Sequence, residues 1–171
     1  MEAMPPWANF FEMIGGAAAT LLGLLFVSTS VNAKAILSDA HRHSRRLAEQ
    51  AFQNYLVILI VSLGAMLPRP SIWGFSYFIL GGSAVWAVWV VIRVAEALRD
   101  GAQDGSRFKL ARRYTASLIG FALLVYSGGR MAIAHEDMID FTAVGLLILL
   151  ISATIVSWEL LLSIAGAGAA D

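Results

Sequence analysis

The sequence predicts an all-α membrane protein: a bundle of five transmembrane helices with the N-terminus outside and the C-terminus cytoplasmic. Three observations predict it. Five long apolar stretches take up most of the 171 residues. Charged residues make up 14% of the chain, against roughly 25% in a soluble domain, and mean hydropathy is +0.72. Finally, 10 of the 12 Lys and Arg fall on one side of the membrane that the apolar stretches imply. Lipid is the natural solvent for such a chain.

A membrane helix needs about 20 mostly apolar residues. The first span is read from Phe10 to Ile36, with Glu12 near its start and Asn32 and Lys34 near its end. The second runs from Phe52 to Leu67, with a lead-in from Leu47 through the headgroup region. Pro68 and Pro70 close it, because proline cannot continue a helix. The third spans Ile72 to Ile92, the fourth Tyr114 to Ile133 and the fifth Phe141 to Ala165. No linker is long enough to separate a second domain, so residues 1–171 read as one transmembrane domain. Met1 to Phe11 contains no Lys or Arg. The charged start of a secretory signal is therefore missing, and the first apolar stretch is expected to remain in the mature protein.

The charges set the expected orientation. Arg42, Arg45 and Arg46 lie in the loop after the first span, with Lys34 just before it. Arg93, Arg99, Arg107, Lys109, Arg112 and Arg113 lie between the third and fourth spans. Five spans put these two loops on the same side. The other side holds Arg69 and Arg130 against Glu2, Glu12, Glu136, Asp137 and Asp140. Short loops rich in Lys and Arg stay cytoplasmic. Trp7, Trp73 and Trp158 fall at span ends, where amphipathic rings favour the interface. Between Arg99 and Gly105 two Asp-Gly pairs mark a turn. It separates an extension of the third helix from a basic lead-in to the fourth, with Ser106 as a plausible N-cap.

The first span carries the least ordinary pattern. At ~100° per residue, Glu12, Gly16, Ala19, Gly23, Ser30 and Lys34 share one stripe about 60° wide. Small residues let membrane helices approach closely. Such a face either forms a tight seam or lines a narrow pore, with Glu12 at its outer mouth and Lys34 at its inner one. The fifth span has a comparable stripe of Gly145, Ser152, Glu159 and Ser163. Intramembrane carboxylates usually face protein or water. Glu159 reads either as an interfacial residue paired with Lys34 or Arg93, or as a carboxylate that senses protons or cations. Glu12 and Arg130 share a depth and form a candidate ion pair. Asn32 and Asn54 are candidates for hydrogen bonds between helices.

Other chemistry has little to stand on. There are no cysteines, hence no disulfide or thiolate metal site. His41, His43 and His135 are too few and too peripheral for a metal centre. The run His41 to Arg46 reads as a basic loop against anionic lipid rather than a nucleic-acid patch. The cluster His135 to Asp140 reads as a solvated acidic loop. Phosphate-binding glycine loops, His-Glu-x-x-His and Gly-x-Ser-x-Gly are absent. No enzyme activity, cofactor or nucleic-acid partner is expected.

The segment Gly15 to Val27 reads Gly-Gly-Ala-Ala-Ala-Thr-Leu-Leu-Gly-Leu-Leu-Phe-Val, preceded by Trp7, Phe10 and Phe11. It resembles the opening span of a family of small, uncharacterised bacterial polytopic membrane proteins, in which a basic loop follows. The resemblance covers mainly the first third of the chain. It implies a multi-pass protein of the bacterial inner membrane and carries no functional residues with it. Five short-looped helices enclose little room, so the expected working form is a homo-oligomer in the bilayer. Two functions fit: a channel for ions or small solutes, its pore lined by the first or fifth helix, or a non-transporting scaffold subunit of a larger membrane complex.

Overall fold

The computed structural model describes residues 5–33, 42–67, 72–100, 107–134 and 138–168. These form five helices: α1 (Pro5–Val31), α2 (Arg42–Ala65), α3 (Ile72–Asp100), α4 (Arg107–Ala134) and α5 (Ile139–Gly168). Four of them are long and apolar enough to cross a membrane, over Trp7–Val31, Ser44–Ala65, Tyr114–Ile133 and Ile139–Ile164. In α3 the apolar stretch is shorter, Gly74–Val88.

Local chemistry explains the helix ends. Pro5 and Pro6 occupy the first turn of α1, where no intrahelical N–H is required. At the end of α2 the Met66 N–H is shared between the carbonyls of Ser62 and Leu63, and Leu67 donates to Gly64. This tightening satisfies carbonyls that would otherwise be orphaned, and Pro68 follows. Asp140 sits in the first turn of α5, favoured by the positive end of the helix dipole. Both α2 and α4 start earlier than hydropathy alone indicates, at Arg42 and Arg107, because their basic lead-ins are helical too. The first helix is described to Val31, and its expected end at Ile36 lies outside the described residues. The expected N-cap at Ser106, and Lys34 and His135, lie outside the described residues.

The order in space differs from the order in sequence. Extended seams join α1 to α2, α2 to α5, α5 to α4 and α4 to α3. Consecutive α2 and α3 share only a short seam. α5 is thus the middle of the row, flanked by α2 and α4, with α1 and α3 at its edges. One aromatic contact, Phe11 edge-on to Phe75 at 6.2 Å, joins the two edge helices where they start.

Close approach at each seam depends on small residues. A Cβ at Gly128 would lie 2.9 Å from the Leu80 backbone nitrogen, so α3 and α4 touch backbone to side. Gly120 and Gly145 face each other across α4 and α5, each Cβ position 3.1 Å from the other's carbonyl oxygen. A Cβ at Gly15 would lie 2.8 Å from the Ser62 Cβ of α2. Lipid tails are as apolar as leucine, so tight van der Waals contact replaces the hydrophobic drive between such helices.

The polarity is distributed as lipid demands. Outward-facing residues include Leu24, Phe26, Val27, Leu63, Val85, Ile119, Ile133, Ile151, Ile155 and Leu162, each more than half exposed in the single chain. Inward-facing ones include Gln50, Asn54, Ser76, Ser83, Ser117, Ser127, Thr142 and Ser152, all buried. A water-soluble bundle would show the reverse. Substituting Gly128→Val should destabilise the fold by roughly 1–3 kcal/mol through overpacking. Gly23→Val should leave the single-chain fold unchanged, since nothing lies within 4 Å of that Cβ position. Denaturation in detergent followed by helical circular dichroism reads both.

Candidate functional site

A polar cluster lies at the middle of the bundle. Asn54 Nδ2 donates to Ser117 Oγ at 2.9 Å, and Gln50 Nε2 donates to the same oxygen at 3.3 Å. A serine hydroxyl has two acceptor sites and one proton. Both acceptor sites of Ser117 are then filled, so its proton goes to Ser152 Oγ at 2.9 Å. Three helices meet at this one oxygen: α2 through Gln50 and Asn54, α4 through Ser117 and α5 through Ser152. All four side chains are buried. At ~1.5 Å per residue, Asn54 stands about 18 Å from the start of α2 and about 16 Å from its end, near the middle of the helix.

Two smaller ties flank the cluster along α5. Toward the basic end, Ser163 Oγ donates to the Leu160 carbonyl at 2.7 Å, which leaves Ser44 as donor in the 3.1 Å bond between the two serines. Toward the other end, Thr142 Oγ1 donates to Ser127 Oγ at 3.0 Å, while Ser127 donates to the Leu124 carbonyl. Tyr55 OH reaches Thr154 Oγ1, and Ser157 reaches Tyr55, both at 3.4 Å. Among the described residues Ser62 Oγ is the one buried side-chain polar atom without a hydrogen-bond partner. The cluster therefore ties α2, α4 and α5 together. Among the described residues no group of three His, Asp or Glu is placed to hold a metal.

The stripe of α1 lies elsewhere. Glu12, Gly16, Ala19, Gly23 and Ser30 are all exposed in the single chain, and Lys34 is outside the described residues. The face of α1 that meets α2 is a different one, made by Phe11, Ile14, Gly15, Ala18 and Leu25. Only 28% of the apolar stretch of α1 is buried, against 56% in α2 and 50% in α5. The hydroxyl of Thr20 is turned back to the Gly16 carbonyl at 2.9 Å, and that of Thr29 to Phe26 at 3.0 Å. What α1 presents outward is thus a smooth strip with few free polar groups.

The α5 stripe divides. Gly145 and Ser152 are buried against α4 and the cluster, Ser163 is half-buried against Ser44, and Glu159 is exposed beside the exposed Trp158. Glu12 and Arg130 are both exposed, and they lie on helices that share no extended seam. The physical reason is the spatial order, which places α2 and α5 between α1 and α4. Asn54 does bond between helices, whereas Asn32 Nδ2 bonds back to the Ser28 carbonyl of its own helix at 2.9 Å. Gln50 and Ser117 escaped sequence reasoning. The available signal was a polar residue one turn before Asn54 and a serine one turn beyond the Arg112-Arg113 pair.

One further concavity is described. Val57, Ile60 and Val61 of α2 and Tyr77, Phe78, Gly82, Ser83 and Trp86 of α3 line an open-sided apolar groove of about 280 Å³. Ser83 gives its proton to the Ile79 carbonyl of its own helix. No protein-family model, curated protein or solved structure shows significant similarity to this chain.

Replacing Ser117 by Ala should strand Gln50 and Asn54 and cost roughly 1–3 kcal/mol of stability. A cycle of Ser117→Ala with Asn54→Leu should be less than additive by about 0.6–1.7 kcal/mol, the range of interhelical bonds in membranes. Unfolding of the detergent-solubilised variants measures the coupling, and strict additivity would show that the two side chains do not interact.

Proposed function

We propose that this chain is a multi-pass protein of the bacterial inner membrane that assembles with itself through the outer face of α1. The carrying observation is the uncovered strip of Gly16, Ala19 and Gly23 on the least buried helix. Small residues on an outward membrane face admit a second helix closely, and van der Waals contact stabilises the pair. Gln50, Asn54, Ser117 and Ser152 bond to one another inside the single chain, which favours a path for ions or small solutes between copies, on the axis of a closed ring, over one through a single bundle.

The channel reading places α1 around that axis, with Glu12 at the outer mouth. The exposure of Glu12 on the same strip favours it. The alternative is a scaffold subunit whose α1 strip receives a helix of a different protein. The back-bonded hydroxyls of Thr20 and Thr29 favour such a dry seam over a wet one. Both readings carry five crossings, with the N-terminus outside and the C-terminus cytoplasmic. The crossing of α3 is supported by its 29 residues and by its seam along α4. The orientation rests on the basic loops.

Native mass spectrometry in nanodiscs distinguishes the assemblies. A closed homo-oligomer should appear, and Gly16→Leu with Gly23→Leu should shift it toward monomer without loss of helicity. A stoichiometric complex with a different protein would replace self-assembly by the scaffold reading. If a ring forms, bilayer recordings should show conductance that Glu12→Gln alters. The chain has no cysteine of its own, so single cysteines report topology cleanly. Arg69→Cys and Asp137→Cys should react with a membrane-impermeant thiol reagent added outside. Gln103→Cys should react only after permeabilisation, and equal reaction of Arg69→Cys and Gln103→Cys would remove the α3 crossing.

A further inference from the structure

We propose that the outer strip of α1 packs antiparallel on the outer face of α4 of a second copy, with Glu12 paired to Arg130 across the contact. This rests on the self-assembly proposed above and names the surface that receives α1. The outer face of α4 carries Ile119, Ala122, Tyr126 and Arg130, all exposed in the single chain. Within one chain α1 and α4 share no extended seam, because α2 and α5 lie between them. The two faces are therefore placed to meet between copies. Copies inserted the same way keep α1 and α4 antiparallel.

Internal contacts put the two charges at one level. Gly15 packs against Ser62, and Asn54 bonds to Ser117. Counted from the Asn54–Ser117 level at ~1.5 Å per residue, Glu12 stands about 17 Å and Arg130 about 20 Å toward the end where α1 starts. Among the described residues Arg130 is the one cation in that half of the bundle. It also interacts within its own chain, and the five N–H donors of a guanidinium can serve a second acceptor. Pairing α1 with a second α1 would instead oppose two Glu12 carboxylates at one level, where like charges repel.

Size complements charge. Four and then seven residues separate Glu12, Gly16 and Gly23, and the same intervals separate Arg130, Tyr126 and Ile119 in the opposite direction. At ~100° per residue each trio stays within about 40° of one line. An antiparallel register that joins the charges therefore sets Tyr126 over Gly16 and Ile119 over Gly23. Both glycines have open space at their Cβ positions. Tyr126 and Ile119 are each more than half exposed, and Tyr126 is held edge-on to Phe141 at 5.9 Å. Large side chains then fill the gaps that small ones leave, which is how membrane helices gain close contact. A contact between unlike faces repeats from copy to copy and closes a ring when the rotation permits.

The chain has no cysteine, so cross-links read the contact directly. The full chain carrying Gly23→Cys and Ile119→Cys is reconstituted in phosphatidylglycerol–phosphatidylethanolamine vesicles and oxidised. It should give covalent multimers on a non-reducing gel, about ten-fold more than either single variant. By native mass spectrometry in nanodiscs, Glu12→Lys and Arg130→Glu should each weaken assembly about ten-fold, and the two together should restore it. Helicity equal to wild type shows that each variant is folded. Where a charge variant loses helicity, the cysteine pair decides, since it leaves both charges in place. An assembling chain whose paired cysteines give no multimers, or whose Gly23→Cys alone gives dimers, overturns the α1–α4 contact and leaves self-assembly standing. A folded double charge variant as weak as the singles does the same. A wild-type chain that stays monomeric overturns both.

Discussion

The hydrogen bonds gathered on Ser117 Oγ are what the remaining architecture depends on. Lipid offers nothing to a polar side chain, so Gln50, Asn54 and Ser152 can be accommodated only where they find one another. That requirement brings α2, α4 and α5 together at one level. Each such bond is modest, about 0.6 kcal/mol on average in membrane proteins. Their joint effect is selective, because rotating any one of the three helices would leave several buried groups unsatisfied at once.

Packing then supplies what the polar groups cannot. Glycines 120 and 145 let α4 and α5 approach until each helix meets the other's carbonyl oxygens, and Gly128 does the same for α4 against α3. The adjacent pair Gly15 and Gly16 serves two surfaces: Gly15 sits on Ser62 of α2, while Gly16 turns outward. The first helix is attached by shape and by Phe11, Ile14 and Ala18, without an interhelical hydrogen bond among the described residues. Its outer strip is accordingly the surface best suited to another helix.

Much of the helical layout was legible in the sequence, since long apolar runs and prolines mark helices regardless of what surrounds them. The ends were less legible, because Arg42 to Arg46 and Arg107 to Arg113 are helical without being apolar. Periodicity located the stripes of the first and fifth helices but was silent on what each would meet. The α5 stripe turned inward at Gly145 and Ser152, and the α1 stripe outward, although both look alike as patterns of small residues. Depth can be counted along a chain, as for Glu12 and Arg130, whereas adjacency depends on which helices lie between. The signal of a single serine such as Ser117 is its place one turn beyond a basic pair, which does not say what it meets, and its role emerges only from the crossing of three helices.

The central position of α5 also has a temporal meaning. Of the five helices it leaves the ribosome last, yet it sits between α2 and α4. Until it arrives, the growing chain holds a hairpin of α1 with α2 and another of α3 with α4, joined by a scant α2–α3 contact. Asn54 and Gln50 would wait in the bilayer or at the insertion machinery without the arrangement that later satisfies them. Biogenesis of this protein is therefore a closing of two halves around a final wedge, and the interval before that closure is when the nascent chain is most exposed to quality-control proteolysis.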